Sequence, residues 1–323
     1  MDAVALQDLP VAEARKLLAT GAPVFLPINP VEYHGPHLSL HNDRLISTGL
    51  ARDVHARIGG KHPFVLAADL EVGVDPTPGP GTRFVPFAVV RDMVLEACRA
   101  LHSLGARTVI AMTWHGAPLH STAIEPGLAW LRARGVVALN PFAAAMREQC
   151  KLEGARFARA FDHVEDEALR AEMIAGLRYD FHAGFFETSM TMHYAPHTVG
   201  AIHAELPPCP PLVADRRTMR LSRTAASLGQ IDLAAELAMI AHGLAWHALK
   251  PFPGYTGRPN LARPESGAIF AKEVADGYAT IITDVAAGRA APPVPPMKWV
   301  ATLTANGRFA PKLPSVDASA GIG

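Results

Sequence analysis

The stretch Glu32-Tyr33-His34-Gly35-Pro36-His37-Leu38-Ser39-Leu40-His41-Asn42-Asp43 gathers two carboxylates and three imidazoles into twelve residues. Neutral imidazole and carboxylate are ordinary ligands for zinc, manganese or iron, so a divalent metal is the chemistry this stretch suggests. Glu32 and His34 stand two apart, and an extended backbone would point both to the same side. Gly35 and Pro36 then let the chain turn, which allows His37, His41 and Asp43 to come back over the same spot. Any one of these residues alone reads as part of a polar surface loop; their spacing together favours a metal site. Two later stretches carry the same residue types: Trp114-His115-Gly116, and Tyr179-Asp180-Phe181-His182-Ala183-Gly184-Phe185-Phe186-Glu187-Thr188-Ser189.

Such groups need elements to position them. The apolar run Pro23-Val24-Phe25-Leu26-Pro27-Ile28 precedes the first stretch and reads as a short buried strand, and a helix is expected before it at 11–20, stopped by Gly21. Helical periodicity follows at 46–58, a strand at 64–68, a Gly- and Pro-rich loop at 72–85, and an amphipathic helix at 89–104 closed by Gly105. The apolar strand at 108–113 runs straight into Trp114 and His115. A helix within 121–134 and a strand at 136–139 continue the alternation, which predicts a mostly parallel sheet covered on both faces. Ligands in such sheets collect beyond the carboxyl ends of the strands, and both the Glu32–Asp43 stretch and His115 fall at that edge. Residues 141–176 read as helical and mixed-charge, with the acidic run at 162–167 as a solvated helix start. One long helix is expected at 225–249, carrying His242 and His247 as core or surface histidines, then a loop at 251–259 and a helix at 266–286. Residues 1–290 read as a single domain and 291–323 as a Pro-rich C-terminal tail.

Composition narrows the classes. Hydrophobic residues make up 49% of the 323 and charged residues 19%, as in a well-packed globular protein. Lys plus Arg equals Asp plus Glu at 30 each, which argues against a nucleic-acid or anionic-membrane surface. Three scattered cysteines without a CxxC pair argue against a disulfide framework, and no secretory signal or spanning apolar run is visible. The expectation is a soluble cytoplasmic protein.

Assembled in order, these stretches resemble the creatininase family of metal-dependent amidohydrolases. Its pattern of Glu, any, His-Gly, any, His-Leu and an Asp eleven residues after the Glu is met by Glu32, His34, Gly35, His37, Leu38 and Asp43. Gly81-Thr82, His115-Gly116, the run Asp180, His182-Ala183-Gly184 and Glu187-Thr188-Ser189, and finally Gly254, Gly257 and Pro259 meet the rest. The resemblance implies a three-layer α/β/α sandwich and a homo-oligomer, often a hexamer. It implies one or two divalent metals (zinc, manganese or iron) held by Glu32, His34, Asp43, His115 and Glu187, with Asp43 as the bridge and His182 as a proton carrier. The expected activity is hydrolysis of a C–N bond in a small or cyclic amide by a metal-activated water. A peptidase or deformylase of a biosynthetic pathway, or a metal-binding member without turnover, are the alternatives. Substrate contacts are expected from Trp114, Arg178 and Tyr179, with Arg178 offering its guanidinium either to a substrate carboxylate or to solvent. The chain departs from the pattern at Ala117-Pro118, where the creatininase ligand Glu is missing, and at Arg178, where creatininase has Trp. These departures argue against creatinine as the substrate. His41 is an addition to the pattern, and whether it or His37 joins the metal set is left open.

Overall fold

A computed structural model describes residues 3–309. Among them a five-stranded sheet runs in the order β1-β3-β2-β4-β5, every pair parallel. The strands are β1 (Val4–Ala5), β2 (Val24–Pro27), β3 (Val65–Leu66), β4 (Thr108–Met112) and β5 (Val137–Leu139). Residue alternation on each strand builds two cores. Val24, Leu26, Val109, Ala111 and Ala138 face one way, under α1 (Val11–Ala19), α3 (Phe87–Leu104) and α4 (Pro118–Arg132). Phe25, Ile110, Met112 and Leu139 face the other, under α2 (Asn42–Arg57), α5 (Phe142–Gln149), α7 (Phe185–Tyr194) and α10 (Pro264–Ala286). The expected three-layer α/β/α sandwich is therefore present. No helix among the described residues is long and apolar enough to cross a membrane.

The remaining helices are α6 (Glu167–Gly176), α8 (Arg216–Ser227), α9 (Ile231–His247) and α11 (Lys298–Leu303). Asp166 caps α6 by accepting from the Ala168 and Leu169 amides, so the acidic run does begin a solvated helix.

Four elements differ from the sequence reading. The single helix at 225–249 is two, because Gly229 at φ +73° turns the chain back between α8 and α9. Helix α2 begins before the expected 46, which puts Asp43 in its first turn, as Glu187 is in the first turn of α7. Strand β1 is two residues long, too short to leave a periodic signal. In the tail, α11 tucks Ala301 against the first core, and Trp299 donates from Nε1 to Glu236 Oε2 at 2.8 Å; residues 310–323 of that tail lie outside the described ones.

Candidate metal centre

Strands β2 and β4 are neighbours, and the chain leaves them to opposite faces of the sheet, through α2 and α4. Their carboxyl ends form the crevice where α/β sheets bind ligands. Asn29, just past β2, ties this edge together: its amide donates to Ser47 Oγ on α2 at 2.9 Å, and its carbonyl oxygen accepts from the Trp114 amide at 3.0 Å. Gly35 supplies the turn after His34 with φ +66°, a conformation that L side chains resist. The chain can then reverse and enter α2.

Glu32, His34, Asp43, His115 and Glu187 all converge here, each at most 5% exposed. Their donor atoms form two groups that share Asp43. Glu32, Asp43 and His115 make one and His34, Asp43 and Glu187 the other, with the atoms in each group within 4.8 Å of one another. A third group joins Glu32, His34 and His182. Asp43 and Glu187 stand at helix N-termini, where the helix dipole favours a carboxylate.

The hydrogen bonds fix which face each imidazole presents. His34 Nδ1 lies 3.1 Å from the Glu32 carbonyl oxygen and His115 Nε2 2.9 Å from that of Val74. A carbonyl only accepts, so those nitrogens carry the ring hydrogens and the opposite nitrogens carry lone pairs. The lone pair of His34 Nε2 faces Asp43 Oδ1 at 3.2 Å and Glu187 Oε1 at 3.8 Å. That of His115 Nδ1 faces Glu32 Oε2 at 2.8 Å and Asp43 Oδ2 at 3.6 Å. Neither of those last two carboxylate oxygens has a hydrogen-bond partner, although both are buried. Electron-rich atoms buried this close together require a cation or extra protons.

The acid–base behaviour of the metal-free site states the same demand. Burial would lower His34, but the Asp43 and Glu187 carboxylates carry it up to about 10. His115 rises to about 9 because Glu32 overrides burial in the same way. Burial pushes Glu187 up to about 7 against the pull of His34, and burial likewise raises Asp43. Burial raises Glu32 too, but His115 and His34 reverse this and hold it low. The donor set, the orphaned oxygens and the carbonyl-anchored imidazoles suit divalent metal.

The surrounding loops hold this set in place. Thr77 donates its amide to Glu32 Oε1 at 2.5 Å, while Thr82 accepts the Tyr33 amide and donates to the Thr77 carbonyl at 2.8 Å. Gly81-Thr82 thus belongs to the collar around Glu32. Asp180 receives the Phe186 amide and the Thr256 hydroxyl, and burial pushes it up to about 6. His182 stacks on His34 at 4.3 Å, packs against Trp246 of α9 at 5.1 Å, and donates from Nε2 to the Tyr33 carbonyl at 3.0 Å. Burial, with His34 adding to it, brings His182 down to about 3, so it is neutral near pH 7.

The other sequence candidates lie outside the three groups. His37 donates from Nε2 to Thr188 Oγ1 at 2.9 Å and braces the start of α7. His41 is half-exposed beside Glu71. Trp114 is buried against Phe142 and Phe186, Arg178 commits its Nε to the Leu152 carbonyl, and Tyr179 lies flat on His242 at 3.5 Å. The sequence reading missed His120, fully buried 5.0 Å from His115, and the carbonyls of Glu32, Val74 and Tyr33 that orient the three imidazoles. It also left Trp246 unnoticed on α9. A backbone carbonyl leaves no signal in residue types; His120, five residues after His115, did.

Fold and site together define an α/β sandwich with a buried carboxylate–imidazole centre at its switch point. The family model for creatininase, described as creatinine amidohydrolase, matches residues 7–282, and the chain belongs to that family. Among solved structures a manganese creatininase is similar at 21% identity, over 88% of this chain and 98% of that one, with a TM-score of 0.55. A mutant creatininase complexed with creatine matches at 21% identity over the same shares, with a TM-score of 0.56. A putative creatinine amidohydrolase from Bacteroides fragilis matches at 19% identity over 88% of this chain and 96% of that one, with a TM-score of 0.56. At these identities the likeness is one of fold. No curated protein matches the chain.

Proposed function

We propose that the protein is a two-metal amidohydrolase that opens the C–N bond of a small or cyclic amide. The observation that carries this reading is the pair of imidazole lone pairs aimed at unpartnered, buried carboxylate oxygens. Glu32, Asp43 and His115 would hold one ion and His34, Asp43 and Glu187 the other, with Asp43 common to both sets. Related structures carry manganese or zinc, and one is complexed with creatine, which supports both the metal class and a small substrate. Ions bound there lower the pKa of water toward neutrality and polarise an amide oxygen.

The chain's own groups supply the rest. His182 is neutral and gives its Nε2 hydrogen to the Tyr33 carbonyl, so its remaining nitrogen is an acceptor. It would take a proton from the attacking water and deliver it to the departing nitrogen. The carbonyls of Glu32 and Val74 keep His34 and His115 in the tautomers that ligate. Ala117 and Pro118 form the N-cap and first residue of α4 and bring no acid to the site, which favours an amide other than creatinine.

Elemental analysis of protein purified without chelator tests this, run beside Asp43→Ala and followed by a panel of lactams, hydantoins and linear amides. About two ions per wild-type chain are expected, with both metal and turnover lost in the variant. A chain that takes up no transition metal even on reconstitution would sink the proposal.

A further inference from the structure

A cavity of about 300 Å³ borders, at Val74 and Asp75, the loop that grips His115 and Glu32. Its walls include Val74, Asp75, Val85, Phe87, Arg91 and Arg308. Val74 turns its carbonyl to His115, Thr77 turns its amide to Glu32, and between them Asp75 is held at φ +52°. For a residue with a Cβ that backbone costs about 1 kcal/mol or more. The Asp75 carboxylate makes no hydrogen bond or ion pair among the described residues, and the same holds for the Arg308 guanidinium. Arg91 is already matched by Asp92, through contacts of 2.7 and 3.1 Å. The Asp75 carboxylate, which feels His115 and His247 but pairs with neither, and the Arg308 guanidinium thus line one space together with Val74, Val85 and Phe87.

The segment carrying Arg308 lies beyond residues 7–282, which the family model matches. Asn306 at φ +59° and Gly307 at φ +84° curl that segment back, and Gly307 packs against Leu119 of α4.

We infer that this cavity binds a small aliphatic zwitterion, its ammonium on Asp75 and its carboxylate on Arg308. An anion and a cation, neither held in an ion pair, lining one cavity with the apolar Val74, Val85 and Phe87 match a carboxylate and an ammonium joined by methylenes. Hydrolysis of a cyclic amide yields that class: water adds, the ring C–N bond breaks, and the acid and the amine remain on one molecule. The cavity's charge pattern stands on the structure alone, whereas the identity of its ligand as a ring-opened amide rests on the hydrolase reading.

The test uses full-length protein, both metal-loaded and chelator-treated, with β-alanine, γ-aminobutyrate and δ-aminovalerate as probes and butyrate and butylamine as single-charge controls. Calorimetry and ligand-observed NMR read the binding. At least one amino acid is expected to bind in both metal states, with each control about tenfold weaker or worse. Asp75→Asn, a residue at ease with positive φ, and Arg308→Gln should each weaken it by about tenfold. The inference is overturned if no probe binds, if the variants bind as well as wild type, or if stripping the metal abolishes binding, which would place the ligand on the metal cluster. Failure of every amide in the hydrolysis panel would remove the hydrolase reading but leave a charge-dependent cavity standing.

Discussion

A buried imidazole that gives its ring hydrogen to a carbonyl has one lone pair left, and the three histidines of the ligand groups are placed in that way. His34 and His115 aim theirs at carboxylates, where the electrostatics call for a cation. His182 is stacked flat on His34 and backed by Trp246, which fixes its plane without using its free nitrogen in any hydrogen bond. On the proposed function, that difference makes His34 and His115 ligands and His182 the proton carrier. His182→Ala should keep its full metal content while kcat falls by about 10² to 10⁴. Elemental analysis and kinetics on the same preparation decide it: loss of one ion per chain would make His182 a ligand instead. His115→Ala should behave oppositely, losing metal and activity together.

At the scale of elements, the centre depends on how closely α7 approaches α10. A Cβ built on Gly267 would stand 1.9 Å from the Ser189 carbonyl oxygen, a contact that only glycine allows between two helix backbones. Gly267→Ala must push α10 away from α7 and shift Glu187, two residues before Ser189. A cost of about 3 kcal/mol follows, seen as a Tm lower by several degrees and a weaker metal affinity. An unchanged Tm would show that the helices can give way without cost. This packing is also where the sequence became hard to read. Glu32, His34, Asp43 and His115 could be singled out because carboxylates and imidazoles next to strand ends are expensive to place there without a purpose, whereas Glu187, which follows no strand, was marked only by the family motif. The strands were equally plain, as apolar runs such as 108–113. The start of α2 was not, because its first turn carries the buried polar residues Asn42 and Asp43 in place of the apolar ones that periodicity detects. Asn42 accepts from Thr191 at 2.6 Å and joins α2 to α7 beneath the site. The break at Gly229 was hidden for the opposite reason: α9 is apolar on nearly every side, so helical character ran unbroken through the turn.

For the molecule as a whole, proton binding and metal binding at this centre oppose each other, and stability should record the contest. In the metal-free protein His34 and His115 are raised to about 10 and about 9, and Glu187 to about 7. A raised pKa means that folding takes up protons. The contribution of each group is therefore complete below its unfolded pKa and is lost as pH climbs through its folded one. Asp43 has the same sign, because burial raises it. Glu32 runs the other way, held low by His115 and His34 against its burial, and its contribution fades only as the solution becomes acidic. The metal-free protein should accordingly lose stability steadily from about pH 6 to about pH 10. Bound ions replace those protons and need the ligands bare, so the loaded protein escapes the loss and binds its metal more tightly as pH rises. Calorimetric Tm values for loaded and chelator-treated protein, taken across that range at fixed ionic strength, should diverge with increasing pH. Parallel curves would mean that the carboxylates and imidazoles of this centre do not exchange protons for metal, and the two-ion reading would fail with them.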